Sequence, residues 1–99
     1  YTLLESHLDT VPADEWGETA FVPRLRDGRL FGRGACDDKG SVVAMVLALM
    51  EVLDVGARPP FPVVLLAAAD EEHAQTGIKQ FAALDYPLAR AVIVPTWRR

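Results

Sequence analysis

The sequence contains little of what disulfide-stapled, membrane-spanning or nucleic-acid-binding proteins need. A single cysteine, Cys36, cannot form an internal disulfide, which agrees with a cytoplasmic location. The longest apolar run, residues 42–50, has nine residues, under half of the roughly 20 that a membrane-spanning helix requires. Ten basic residues against fourteen acidic ones give a net charge of -4. With no basic stripe to bind phosphates, neither nucleic acid nor a membrane is an expected partner.

What is present describes one small globular domain. The chain has 99 residues, of which 51% are hydrophobic and 24% charged, enough for one modest core. It begins at Tyr1, without an initiator methionine or a signal-type segment. We therefore expect an internal fragment of a longer protein.

Hydrophobic spacing and turn residues predict an α/β fold. Apolar residues three and four apart indicate one long helix, and continuous apolar runs of strand length indicate buried parallel strands. The expected elements are a strand at 1–4, a loop at 10–23, a hairpin turn at Asp27–Gly28, a helix at 38–55, a strand at 63–69, a short helix at 77–84 and a last buried strand at 91–94. We predict a mostly parallel sheet flanked by helices, with the long helix enclosed between the sheet and other structure.

Polar residues collect where the predicted strands end. Ligands of open parallel sheets bind at the carboxyl ends of the strands, because loops there can present side chains to one point. Imidazole and carboxylate groups at such an edge are ligands that suit zinc or a similar divalent ion. The residues concerned are His7, Asp9, Asp37, Asp38, Asp70, Glu71 and Glu72.

His7 and Asp9 are two residues apart, so on an extended segment they face the same way. Asp9 can then accept a hydrogen bond from one ring nitrogen of His7 while the other nitrogen binds a metal. Taken alone, this spacing also fits an ordinary solvated pair.

A glycine-rich segment at residues 32–40 surrounds Asp37 and Asp38. Glycine lets backbone pass close to a bound ion, but the order of residues does not match a phosphate-binding loop. The alternative interpretation of the two acids is a helix start, where carboxylates offset the positive end of the helix dipole. Arg33 and Lys39 are expected to pair with neighbouring acids and hold this loop in place.

The acidic triplet Asp70-Glu71-Glu72 follows an apolar strand. Mutual repulsion among its carboxylates must be offset by solvent or by a cation. If a cation is bound, neighbouring residues of an extended chain point to opposite sides, so one glutamate can bind it while the other transfers protons.

Three ordered motifs carry a resemblance to a known family. They are residues 6–12 (SHLDTVP), residues 27–40 (DGRLFGRGACDDKG) and residues 70–72 (DEE) followed by Gly77. Together they resemble the dinuclear zinc aminoacylases and carboxypeptidases, which include acetylornithine deacetylase, succinyl-diaminopimelate desuccinylase and glutamate carboxypeptidase. Within that family the residues of these three motifs are most similar to those of acetylornithine deacetylase.

The resemblance implies a role for each site residue. His7 would bind one metal ion, Asp37 would bridge two ions and Glu72 would bind the other, while Asp9 would orient His7. Glu71 would be the general base that takes a proton from the attacking water and passes it to the leaving amine. The implied cofactor is zinc, two ions in the intact site, with cobalt or manganese as alternatives. The implied substrate is an N-acyl amino acid or short peptide, and the resemblance implies a homodimer for the intact protein.

Two departures from the family pattern limit what this chain can do. The family usually has Gly-Glu or Gly-Asp before Pro-Thr, whereas here Val94 runs directly into Pro95 and Thr96. The family's second metal-binding histidine and its lid and dimerisation domain lie further along than Arg99. Residues 1–99 are therefore expected to be an incomplete N-terminal part of the catalytic domain, with weak metal binding and no appreciable hydrolysis.

Two other classes of function stay open from the sequence. One is a noncatalytic remnant or binding module of the same fold. The other is a phosphorelay receiver, suggested by Asp37, Asp38 and Asp70 near strand ends. The receiver fits poorly, because the paired acids precede a helix instead of ending the first strand.

Overall fold

The structure, a computed structural model, describes residues 1–95. Thr96, which the family pattern places after Pro95, lies outside the described residues. The elements are β1 (Thr2–His7), a 3₁₀ helix (Asp14–Phe21), β2 (Arg24–Arg26), β3 (Arg29–Phe31), α1 (Lys39–Asp54), β4 (Val63–Ala68), α2 (Thr76–Ala82) and β5 (Ala91–Ile93).

A parallel sheet with the order β4-β1-β5 forms the centre of the fold. In the register, Leu3 of β1 lies opposite Val64 of β4 and Val92 of β5. Parallel neighbours require a crossover connection, and α1 supplies it by packing against β1 and β4. The predicted fold class, a mostly parallel sheet flanked by helices, is confirmed.

The first strand is longer than predicted. It was expected to end at Leu4, but β1 continues through Glu5 and Ser6 to His7. These polar residues pair in register with the β4 residues Leu66, Ala67 and Ala68. β5 pairs only with Thr2–Leu4, so main-chain pairing with β4 alone extends the strand beyond its apolar residues.

The segment predicted as a loop at 10–23 contains a 3₁₀ helix, interrupted at Gly17 by a φ of 56°. It is built from local bonds such as Trp16 N–H to the Ala13 carbonyl, at 2.9 Å. Ala13 and Ala20 bury their side chains here. Such short turns leave no hydrophobic period in a sequence, which explains why the loop composition concealed the helix.

The hairpin predicted at Asp27–Gly28 is confirmed. Both residues have positive φ, 50° and 72°, as a two-residue turn of type I′ requires. Strands β2 and β3 pair on either side of it, with Leu25 opposite Leu30.

The helix predicted at 38–55 is confirmed as α1, with Asp38 and Val55 as its caps. Its predicted enclosure is wrong for the described residues, because α1 has no buried residue. Among the helices of the described chain, none has the length and apolar character for crossing a membrane.

The buried character predicted for the outer strands is also wrong. The residues of β4 are half-buried apart from exposed Ala67 and buried Ala68, and all of β5 is exposed. Both are edge strands of the described sheet, and α1 makes its main sheet contacts with β1 and β4. An edge strand has a neighbour on one side only, which leaves its side chains more accessible.

Candidate metal centre

Three chain segments meet at the carboxyl edge of the sheet. β1 ends there at His7, the segment before α1 brings Asp37, and the turn after β4 brings Glu72. One ligand atom from each of these side chains lies within 4.8 Å of the other two. Residues far apart in the sequence thus form one potential binding point for a cation.

The imidazole of His7 is held in a defined orientation. Its Nδ1 lies 3.0 Å from the main-chain carbonyl of Asp9, which can only accept a hydrogen bond, so Nδ1 carries the hydrogen. Nε2 lies 3.1 Å from Asp37 Oδ1 and faces the binding point. The neutral ring can therefore present Nε2 as a metal ligand.

The surroundings of His7 favour a positive charge at this position. Burial lowers the pKa of His7, but hydrogen bonds with Asp9 and Asp37 and the charges of Glu71 and Asp38 together raise the pKa above its usual value. The negative field that stabilises a proton on the ring would also attract a metal cation.

Asp9 makes different contacts from those predicted. Its carboxylate oxygen Oδ1 is 3.6 Å from His7 Nδ1, whereas its main-chain carbonyl is at 3.0 Å and orients the ring. The carboxylate oxygens instead accept hydrogen bonds from the main-chain N–H groups of Glu71 and Glu72, with N···O distances of 3.1 Å. Burial raises the pKa of Asp9, but these N–H donors and the charge of His7 lower it overall. Asp9 thus holds the turn that carries both glutamates.

Glu71 and Glu72 lie in a turn after β4, not in the extended segment that the sequence suggested. The turn begins at Asp70, whose φ is 63°, and Asp70 accepts hydrogen bonds from the hydroxyl and N–H of Thr76. Glu71 Oε2 is 3.8 Å from His7 Nε2, while Glu72 belongs to the three-residue group. The turn therefore directs both carboxylates to the same cavity.

Asp37 and Asp38 have separate environments. Asp37 is partly exposed and faces His7, whereas Asp38 is buried and accepts a hydrogen bond of 2.5 Å from Ser6 Oγ. Asp38 caps α1 by position, but its side chain makes no hydrogen bond to the helix N-terminus. The alternative interpretation placed this carboxylate at the start of α1, where it would offset the helix dipole. It instead accepts a hydrogen bond from Ser6 of β1.

Glu5 is a site residue that the sequence interpretation missed. It lies two residues before His7 on β1, so it shares the strand face of His7, and it is buried. Burial raises the pKa of Glu5, the charge of His7 lowers it, and the charges of Glu71 and Asp38 raise it further. The two-residue spacing on a strand was the signal that could have found it.

These groups surround a cavity of about 410 Å³. Its polar lining comes from Glu5, His7, Asp37, Asp38, Glu71 and Glu72. Val94 and Pro95 complete it, so an apolar residue stands at the end of β5 where the family pattern supplies a carboxylate.

Arg33 and Lys39 do hold the glycine-rich loop, but through main-chain carbonyls, and neither pairs with an acid within residues 1–95. Lys39 Nζ donates to the Leu8 carbonyl at 2.8 Å, and Arg33 Nη2 donates to the Pro12 carbonyl at 3.2 Å. Arg33 also stacks over Trp16, with 4.5 Å between its guanidinium carbon and the ring centroid. These bonds tie the loop to the segment that follows β1.

Comparison with known families identifies the source of this arrangement. The profile of the family described as peptidase family M20/M25/M40 matches residues 3–96. The chain belongs to this peptidase family. The resemblance inferred from the three motifs is therefore confirmed at the level of the family.

Relatives within the M20/M25/M40 family share these residues over part of their length. A succinyl-diaminopimelate desuccinylase of Delftia acidovorans is 46% identical over 69 residues, which cover 67% of this chain and 18% of the relative. One from Xanthomonas campestris is 42% identical over 88 residues, 83% of this chain and 23% of the relative. One from Bordetella pertussis is 43% identical over 74 residues, 72% of this chain and 20% of the relative.

The chain spans about a fifth of the length of these curated relatives. No solved structure matches it significantly. All three relatives are desuccinylases, so the closer similarity to acetylornithine deacetylase within the M20/M25/M40 family is not confirmed and stays a prediction.

Proposed function

We propose that this chain forms the metal-binding part of a hydrolase that cleaves the amide bond of an N-acyl amino acid with an activated water molecule. The observation that carries the proposal is the convergence of His7, Asp37 and Glu72 within 4.8 Å, with the Glu71 carboxylate beside them. An imidazole and several carboxylates directed into one cavity suit water activation at a divalent cation.

The donor set fits zinc. His7 would bind one ion, Glu72 a second, and Asp37, whose Oδ1 lies 3.1 Å from His7 Nε2, would bridge them. Cobalt or manganese would also accept this mixture of nitrogen and oxygen ligands. When bound, such ions lower the pKa of water and polarise a carbonyl group.

Glu71 is the proposed general base. Its Oε2 lies 3.8 Å from His7 Nε2, and Asp9 accepts a hydrogen bond from its main-chain N–H, which holds the residue beside the cavity. There it would take a proton from the attacking water and return it to the nitrogen of the leaving amine. No covalent bond between enzyme and substrate is needed for this proton transfer.

The proposed substrates are small N-acyl amino acids, with a short peptide as a related possibility. The names of the three relatives favour N-succinyl-diaminopimelate as the substrate, whereas the residues of the three motifs favour N-acetylornithine. We also propose that residues 1–99 are an incomplete part of the catalytic domain. The whole protein would supply the third ligand of each metal, a lid domain and a homodimer contact.

A chimeric enzyme tests this function. The segment of the Delftia acidovorans desuccinylase that aligns with this chain would be replaced by the residues of this chain. We expect zinc-dependent hydrolysis of N-succinyl-diaminopimelate, with N-acetylornithine assayed in parallel. Glu71→Gln in the chimera should abolish hydrolysis, whereas Glu15→Gln, on the exposed 3₁₀ helix, should not.

The outcomes separate the proposal from its alternative. A chimera that folds and binds zinc but hydrolyses neither substrate would favour the noncatalytic binding module. Hydrolysis that survives Glu71→Gln would remove Glu71 from the role of base.

A further inference from the structure

The strand β1 and the start of α1 are joined by a single buried side-chain hydrogen bond among the described residues. Ser6 Oγ donates to Asp38 Oδ2 at 2.5 Å, and the two residues are 1% and 7% exposed. A hydroxyl bound to a carboxylate at this distance is a strong, charge-assisted hydrogen bond. It links residues that are 32 positions apart in the sequence.

Each partner of this bond stands next to a proposed metal ligand. Ser6 precedes His7, and Asp38 follows Asp37. Ser6 and His7 point to opposite faces of β1, and on the His7 face Nε2 lies 3.1 Å from Asp37 Oδ1. The Ser6–Asp38 bond therefore restrains, through the main chain, the approach of Asp37 to His7.

The side chain of Asp38 does not make the helix-capping hydrogen bond that its position favours. A residue that caps a helix N-terminus usually accepts a hydrogen bond from an N–H of the first turn. Asp38 makes no such side-chain bond, although its main-chain carbonyl accepts the N–H groups of Ser41 and Val42. Its carboxylate accepts the bond from Ser6 instead, which ties the residue after Asp37 to the residue before His7.

We propose that Ser6 is a positioning residue, which acts through Asp38 to hold Asp37 at the distance from His7 that a shared metal ion requires. This inference rests on the proposed metal centre. Without the Ser6 hydroxyl, Asp38 is free to cap α1, and Asp37 loses its fixed approach to His7. The buried hydroxyl thus contributes to metal affinity without touching the metal.

Cobalt(II) titration of the whole 99-residue chain tests the proposal, with Ser6→Ala against Ser41→Ala. Ser41 is the matched control, because it lies in the first turn of α1 and its hydroxyl makes no side-chain hydrogen bond among the described residues. We expect Ser6→Ala to weaken cobalt binding by about 10- to 100-fold, as is usual when an outer-shell partner is removed. Its visible absorption bands should shift, and Ser41→Ala should change neither property.

A double-mutant cycle shows whether Ser6 acts through Asp38. Asp38→Ala and the double variant Ser6→Ala/Asp38→Ala should bind cobalt equally weakly, because the second change removes nothing further. If the two losses add, Ser6 acts by another route and the proposal fails. Should Ser6→Ala not fold, Asp38→Asn replaces it: the weaker, uncharged acceptor should reduce affinity in the same direction, and unchanged affinity would overturn the inference.

A metal-free measurement separates this proposal from the proposed function. The ¹⁵N shifts of the His7 imidazole report its contact with Asp37 without any metal. Absence of cobalt binding by the chimeric enzyme, in which the desuccinylase supplies the remaining ligands, would refute the metal centre, yet a change of these shifts in Ser6→Ala would still support the positioning role. Shifts that match those of the unaltered chain would overturn the role of Ser6.

Discussion

The strand β1 and the helix α1 show opposite relations between polarity and burial. Four of the six residues of β1 are buried, and three of these are the polar residues Glu5, Ser6 and His7. The sixteen residues of α1 are mostly apolar, yet none is buried among the described residues. Leu47 and Leu53 of α1 are 57% and 72% exposed.

The difference shows that position in the sheet decides burial here more than side-chain chemistry does. β1 lies between β4 and β5, its polar residues pair with β4, and Ser6 and His7 are hydrogen-bonded to Asp38 and Asp37 from the segment before α1. α1 contacts the sheet along one side only, through β1 and β4. The candidate cation site therefore depends on β1, which has more buried residues than any other strand of the described chain.

The largest expected effect tests how much β1 contributes to stability. Leu3→Ala removes a side chain that is 5% exposed in the centre of the sheet. It should lower the free energy of unfolding by about 2 to 5 kcal/mol, because buried leucines leave a cavity when truncated. Urea denaturation measures the loss. Leu88→Ala, at a position that is 94% exposed, is the control, and equal losses would contradict the comparison.

The second effect concerns the polar end of β1. His7→Ala should weaken zinc binding by more than about 100-fold, since loss of a direct ligand should exceed the 10- to 100-fold loss typical of outer-shell changes. His73→Ala is the matched control, because His73 is the other histidine and is exposed after the acidic turn. Isothermal titration with zinc gives both affinities. Similar losses in the two variants would place the metal elsewhere.

A smaller effect is expected at the turn after β4. The two carboxylate oxygens of Asp9 each accept a hydrogen bond, one from the N–H of Glu71 and one from the N–H of Glu72. Asp9→Asn replaces one of these oxygens by an amide nitrogen, so one N–H loses its acceptor. The free energy of unfolding should fall by about 1 to 3 kcal/mol. Hydrogen exchange at those two amides should accelerate, and Asp85→Asn, at an exposed position, should leave the exchange unchanged. Unaltered exchange in Asp9→Asn would show that the carboxylate does not hold the turn.

The smallest effect is expected on α1. Leu47→Ala, although it removes a large apolar side chain, should change the free energy of unfolding by less than about 0.5 kcal/mol, because the side chain is mostly exposed. Urea denaturation of Leu47→Ala and Leu3→Ala under the same conditions compares the two losses of free energy of unfolding directly. A loss as large as that of Leu3→Ala would mean that α1 is covered in solution.

Local patterns predicted the elements that depend on neighbours in sequence. The apolar spacing of α1 and the Asp27–Gly28 turn are properties of short segments, and both appear where expected. The 3₁₀ helix at Asp14–Phe21 was missed, because a structure built from single turns has no repeating pattern. The site residues were likewise found as residue types at strand ends, not as contacts.

The sequence by itself determined the helices and strands other than the 3₁₀ helix, the family, and the set of acids and imidazole available to a cation. Only the tertiary structure decided that the Asp9 carboxylate holds the turn of Glu71 while the Asp9 carbonyl orients the ring of His7, and that Glu5 shares the cavity. The physical reason is the sequence separation of the residues that interact. Helix periodicity and turn conformation follow from residues a few positions apart, whereas hydrogen-bond partners and burial depend on which strands become neighbours in the sheet.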